Sequence, residues 1–206
     1  PGRFRIMTLL VLIGGLGLAA AFAAEKGWND HEGGLLKYRV QIRFGMEPDT
    51  LPDGWRFGRV SAVAKDTRGQ VFVFQRGDKA DPIVVFDEKG KYLRSFGRGL
   101  FGNEHGMRVD PEGHLWVTDN GDHQVFKFSN DGKLLLTLGT KGKAGTDEKT
   151  FNRPTDIAFA PSGDVYVSDG YGNSRVVRFS KDGKYKGTWG KKGTGPSEFN
   201  TVHSVA

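Results

Sequence analysis

The chain has 206 residues, no cysteine, 31 glycines and a formal net charge of +6. Without a thiol there is no disulfide, no thiolate metal site and no lipid attachment through cysteine. Lysines and arginines are interleaved with acids and no basic run exceeds Lys191-Lys192. That pattern describes a solvated surface rather than a nucleic-acid interface.

Residues 1–24 read as a targeting segment. Arg3 and Arg5 precede an apolar stretch from Ile6 to Ala24, and Ala21-Phe22-Ala23 offers a small-x-small cleavage site. The stretch is long enough that an uncleaved N-terminal membrane anchor is the rival reading. Both readings export the remainder, to the periplasm or the cell exterior. Residues 25–55 read as a polar connector with one strand, Tyr38 to Phe44, before Leu51-Pro52-Asp53-Gly54-Trp55 leads into a repeat region over 56–206.

Three segments of that region share one pattern. A strand at Val60–Asp66 is followed by Arg68-Gly69 and a strand at Val71–Phe74. The same order recurs as His105–Pro111, Glu112-Gly113 and Leu115–Asp119, and again as Thr155–Pro161, Ser162-Gly163 and Val165–Asp169. Each continues into a third strand (Ile83–Phe86, Gln124–Phe128, Arg175–Phe179), a Lys-Gly or Asp-Gly turn, and a fourth strand ending at Gly97, Gly139 or Gly190. A further repeat opens at Val202-His203-Ser204-Val205-Ala206. The equivalent positions Ser61, His105, Thr155 and His203 recur at intervals of about 44, 50 and 48 residues. Four short β-branched and aromatic strands per unit of that length predict an all-β fold of β-propeller blades. The blades fall at about 60–97, 105–139 and 155–190, with a partial one at 202–206. Propellers close with about four to eight blades. Three and a stub, on a chain that begins at Pro1 and stops within a strand, therefore predict a fragment of a longer protein, poorly stable alone.

His105 and His203 share one column of the repeat, so each is expected to open an innermost strand and face the central channel. Neutral imidazole is a common metal ligand, and several such rings at the axis would hold zinc with an open position. Histidines that merely line the channel are the alternative that the repeat column leaves open. Arg76 follows a second strand, in Gln75-Arg76-Gly77-Asp78, where later blades have Asp119-Asn120 and Asp169-Gly170. Its planar fork suits a carboxylate; a surface ion pair is the alternative. Tyr171 lies between two glycines in a loop one residue longer than its counterpart, placed to approach a ligand or simply to pack. The recurrence of Asp119 and Asp169 points to a turn-bonding role. His31, His114 and His123 read as ordinary surface residues.

The blades resemble NHL repeats. More narrowly, Phe74-Gln75-Arg76-Gly77-Asp78, His105-Gly106, Trp116-Val117-Thr118-Asp119, His123-Gln124-Val125-Phe126-Lys127, Phe151-Asn152-Arg153-Pro154-Thr155-Asp156, the run Tyr166–Arg175 and Trp189-Gly190 resemble the peptidyl-α-hydroxyglycine α-amidating lyases. The resemblance covers roughly residues 55–206. It implies a six-bladed propeller that cleaves the C–N bond of a C-terminal α-hydroxyglycine to a peptide amide and glyoxylate. It implies zinc on His105, His203 and a third histidine beyond Ala206, with Tyr171 and Arg76 as catalytic residues and a second arginine also beyond the chain. A structural calcium would take the backbone carbonyls of Val63 and Met107. The implied substrate is a small molecule or peptide ending in a carboxylate, and the implied full-length protein is a monomer.

Two departures from the family pattern stand out. Glu104 and Val202 precede the histidines where the family has proline. The disulfide that staples the tyrosine loop in animal members has lost both partners together, at Asn152 and Gly172. The competing reading is a non-catalytic NHL propeller that binds a protein or a cell-envelope ligand. A lactonase-like hydrolase would need acidic ligands on the inner strands, where only Asp156 stands.

Overall fold

The computed structural model describes residues 28–33, 36–41 and 51–206. The leader predicted over 1–24 lies outside them. The chain divides into two units, 1–43 and 44–206. In the first, β1 (Trp28–Gly33) and β2 (Leu36–Gln41) form an antiparallel hairpin in register from Trp28↔Gln41 to Gly33↔Leu36. The predicted connector strand at Tyr38–Phe44 is thus β2, displaced toward the N-terminus. It has a partner that the sequence reading lacked, because Trp28–Gly33 shows no clean alternation. His31, read as a connector residue, lies in β1.

The second unit contains three four-stranded antiparallel meanders. The first is β3 (Val60–Lys65), β4 (Val71–Gln75), β5 (Ile83–Phe86) and β6 (Tyr92–Phe96). The second is β7 (Glu104–Val109), β8 (Leu115–Asp119), β9 (Gln124–Phe128) and β10 (Leu134–Leu138). The third is β11 (Asp156–Phe159), β12 (Val165–Asp169), β13 (Arg175–Phe179) and β14 (Tyr185–Trp189). The turn glycines Gly90, Gly132 and Gly183 have φ of 88°, 95° and 81°, a region that costs L-residues about 1 kcal/mol or more. A short parallel pair that the sequence reading did not include, β15 (Lys191–Lys192) with β16 (Glu198–Phe199), follows the third sheet.

Apolar layers hold the sheets face to face. Phe72, Phe74, Ile83 and Val85 of the first sheet pack on Met107, Leu115, Val117, Phe126 and Phe128 of the second. Phe101 fills the seam, edge-on to Phe74 at 5.0 Å and to Phe126 at 5.3 Å. Because successive strand residues point to opposite faces, Trp116 and Val125 face the other way and meet Ile157, Val165, Val167, Val177 and Phe179 of the third sheet. A middle sheet buried on both faces explains why β8 and β9 are buried along their whole lengths. Each fully buried Phe or Leu in these layers contributes roughly 1.5–3 kcal/mol of transfer free energy. Leu51, Trp55 and Phe57 cover the outer face of the first sheet, against Val73, Ala80, Val84 and Phe86. Residues before the predicted start at 56 therefore belong to its packing.

Stacking the sheets in this order sets β3, β7 and β11 side by side as the innermost strands. The site is built at one end of this row.

Candidate functional site

One buried side chain per sheet anchors the segment that leads into each inner strand. Asp119 accepts the backbone N–H groups of Gly102 and Asn103, both at 2.8 Å, and of Gly121 and Asp122. Asp169 accepts that of Asn152 at 2.7 Å and pairs with Arg175 Nε at 2.9 Å. In the first sheet Gln75, fully buried, takes the same place, its Oε1 accepting from Gly58 N at 2.8 Å and Gly77 N at 2.6 Å. The recurring aspartates thus have the turn-bonding role that their recurrence predicts. Gln75 substitutes where a carboxylate is missing.

The anchoring presents His105, in β7, at the end of the inner row. The structure brings His105, Tyr171 and His203 into one triangle of rings. Centroid separations are 5.2 Å for His105–Tyr171, 5.2 Å for His105–His203 and 5.5 Å for Tyr171–His203. His203 lies in the segment that opens the fourth repeat and is exposed beside β11.

The His105 ring is oriented by a hydrogen bond that fixes its tautomer. Nδ1 lies 2.8 Å from the carbonyl oxygen of Thr155, which can only accept, so Nδ1 carries the proton. Nε2 keeps its lone pair and faces the Tyr171 hydroxyl at 3.0 Å. Burial pushes the His105 pKa below its ordinary value. The Thr155 carbonyl opposes this, and His203 and Arg76 add to it. A neutral ring with one nitrogen held by a carbonyl and the other directed at its neighbours has the preparation that a metal-binding imidazole needs. The two imidazoles therefore fit the chemistry of a zinc ligand set. Among the described residues, however, no group of three His, Cys, Asp or Glu is placed to hold a metal.

Tyr171 is delivered by its glycines in a way the sequence reading did not include. A Cβ on Gly170 would lie 1.7 Å from the carbonyl oxygen of Val202, and one on Gly172 would lie 2.1 Å from Asn152 Cγ. The first glycine admits the backbone that carries His203. The second admits the Asn152 side chain. The phenol is left 41% exposed at the mouth of the triangle.

Arg76 is half-buried nearby, and its Nε donates to the backbone carbonyl of Glu104 at 2.7 Å. The guanidinium is thereby fixed beside β7 and acts electrostatically on His105. The Glu104 carboxyl is pushed above its usual range by burial and by Asp119.

Two residues the sequence reading passed over belong to the surroundings. His123 has φ of 62°, and its Nδ1 accepts the backbone N–H of Arg153 at 3.1 Å. Arg153, itself at φ 64°, sets its guanidinium carbon 5.4 Å from the centre of the Tyr171 ring. His123 is thus a loop support rather than an ordinary surface histidine. His114, half-buried, is tied to Asp110 Oδ2 at 3.1 Å. Positive φ in non-glycine residues left no sequence signal, although Arg153 stands inside a segment that carries the family resemblance.

Val63 and Met107 occupy the neighbouring inner strands β3 and β7, paired with Val73 and Val117 across their sheets.

Residues 105–128 and 151–179 match the NHL repeat model. With its four-stranded meanders, the chain is an all-β protein of NHL repeats with the blade architecture of β-propellers. It is 39% identical over 180 residues to the peptidyl-glycine alpha-amidating monooxygenase of Mus musculus, covering 72% of this chain and 18% of that protein. It is 33% identical over 162 residues to peptidyl-alpha-hydroxyglycine alpha-amidating lyase 1 of Drosophila melanogaster, covering 66% and 30%. To the human NHL repeat-containing protein 3 it is 34% identical over 182 residues, covering 82% and 51%. The chain thus spans a fifth to a half of these relatives' lengths. A solved structure of a catalytically inactive virginiamycin B lyase from Staphylococcus aureus with quinupristin aligns at a TM-score of 0.51 and 15% identity. That alignment covers 75% of this chain and 45% of the other, a likeness of fold alone.

Proposed function

We propose that the full-length protein is a zinc-dependent lyase of the amidating type, cleaving the C–N bond of a peptidyl-α-hydroxyglycine to a peptide amide and glyoxylate. The observation that carries this reading is the ring triangle. Two imidazoles from segments far apart in sequence meet one another and the Tyr171 phenol at 5.2–5.5 Å, and His105 is already held in the tautomer that leaves Nε2 free. Relatives named for amidating chemistry support the class.

His105 and His203 would hold zinc together with a donor from outside this chain. Bound there, zinc would supply Lewis-acid activation of the substrate hydroxyl. The protein's own part follows from the positions of its side chains. Tyr171, exposed beside the imidazoles, would as its phenolate take the hydroxyl proton and hand it to the departing nitrogen as the C–N bond breaks and the α-carbon becomes the aldehyde of glyoxylate. Arg76, fixed by Glu104, contributes the cation that a C-terminal carboxylate pairs with. A structural calcium on the carbonyls of Val63 and Met107, and export directed by the leader, complete the proposal.

The test is glyoxylate release from a hydroxyglycine-ended peptide by zinc-loaded full-length protein, with elemental analysis of His105→Ala and His203→Ala. Each variant is expected to lose most of its zinc. Zinc content unchanged in both would overturn the metal assignment. The second reading, a binding propeller without catalysis, draws on the similarity to the human NHL repeat-containing protein 3, whose name carries no activity. It predicts capture of a carboxylate-ended peptide with no glyoxylate formed.

A further inference from the structure

We propose that the dipeptide Thr155-Asp156, at the start of β11, positions both imidazoles at once, so that the two candidate ligands are held from one point on a third sheet. Neither residue touches the mouth of the triangle; both act through others.

The Thr155 carbonyl accepts from His105 Nδ1 at 2.8 Å. It also accepts from the Thr118 hydroxyl at 3.1 Å, and the same hydroxyl oxygen accepts the backbone N–H of Gly106 at 2.7 Å. The approach is close enough that a Cβ on Gly106 would lie 2.3 Å from the Thr155 oxygen. His105 and its neighbour are therefore docked on Thr155 through side chain and backbone together.

The other face of the dipeptide holds His203. The Thr155 hydroxyl lies 2.8 Å from the carbonyl of Val202, the residue before it. The Asp156 carboxylate accepts the Ser204 hydroxyl at 2.5 Å and lies 3.4 Å from the N–H of Val205, on the other side. These contacts hold the backbone from which the His203 ring projects. Asp156 is itself steered by Arg108 of β7, whose Nε and Nη2 reach its two oxygens at 3.0 and 2.8 Å. A bidentate pair of this kind fixes direction as well as distance. Thr155 and Asp156 are buried, with 1% and 7% of their surface exposed.

The purpose of this arrangement rests on the proposed zinc site, but its geometry is testable without metal. In metal-free full-length protein, ring-to-ring nuclear Overhauser cross-peaks are expected to join His105, Tyr171 and His203. Asp156→Ala and Ser204→Ala are expected to abolish the cross-peaks of His203 while leaving the one between His105 and Tyr171. Asp156→Asn, which keeps an acceptor for Ser204, is expected to restore them. Ser204→Ala removes one exposed hydroxyl, so it remains informative if Asp156→Ala fails to fold. Zinc affinity, measured by chelator competition, is expected to fall roughly 10–100-fold in Asp156→Ala, the range for loss of a partner that orients a ligand.

His203 cross-peaks that persist in both alanine variants overturn the positioning role, whatever the zinc result. Their disappearance in variants of a protein that binds no zinc sustains positioning and sinks the metal reading instead.

Discussion

At the scale of the residue, the site turns on which atoms of each side chain are already engaged. His105 has its Nδ1 proton on Thr155, leaving Nε2 for a ligand or for Tyr171. Tyr171 has one polar side-chain atom, and that atom faces the imidazole. Tyr171→Phe removes only this oxygen and leaves both imidazoles in place. In zinc-loaded full-length protein the variant is expected to keep its zinc while glyoxylate release falls on the order of 10²–10⁴-fold, the contribution of a positioned acid–base group. Turnover within a few-fold of wild type would assign the proton transfer elsewhere. These residues were legible because repeat columns and a family-like run marked them. Arg153 and His123 also stand in segments that carry the resemblance, but the left-handed backbone that gives each its role has no pattern of type or period. Asn152 and Gly172 fall between the two cases. Their joint departure from the family pattern was visible, and the structure adds that the two positions lie against one another. The Asn152 side chain fills the space that a Cβ at 172 would need.

At the scale of the element, strand positions were legible almost to the residue in all three sheets. Alternation, Asp-Gly turns and the repeat reinforce one another there. What failed was one-off structure. The β1 hairpin strand, the β15–β16 pair and the packing of Trp55 and Phe57 occur once and have no second copy to be compared with. The repeated anchor is the element-scale feature most open to test. Asp119 is fully buried and accepts four backbone N–H groups. Asp119→Ala is therefore expected to destabilise the fold by about 3 kcal/mol or more. Asp131→Ala, in an exposed turn, should leave it nearly unchanged. Equal urea midpoints for the two variants would show that the anchor is dispensable.

At the scale of the whole molecule, the sheets are stapled by carboxylates that must stay ionised. Asp164 is pushed down to about 2 by hydrogen bonds from Lys186 and Arg178. Burial alone would raise Asp66, Asp110 and Asp156, but hydrogen bonds outweigh it in each: from Gln70, Arg68 and Asn130 to Asp66, from Trp116 and His114 to Asp110, and from Arg108 and Ser204 to Asp156. A group whose folded pKa is depressed stabilises fully above its unfolded value, near 4 for aspartate, and loses that stabilisation as pH falls through the folded value. His105, also depressed, adds a loss that begins as pH drops below about 6.5. Glu104, raised by burial, acts in the opposite sense. It favours the folded state at acid pH and loses that contribution as pH rises from about 4.5 through its higher folded value. The carboxylates outnumber it, so the urea midpoint is expected to change little between pH 8 and 5 and to fall steeply between about pH 4 and 2. Asp164→Asn isolates one contributor. Its midpoint should lie below that of the parent at pH 6 and converge on it at pH 2, where the parent carboxyl is itself becoming protonated. A gap between the two that stays constant from pH 6 to pH 2 would mean that the Lys186–Asp164–Arg178 cluster contributes through packing rather than through charge.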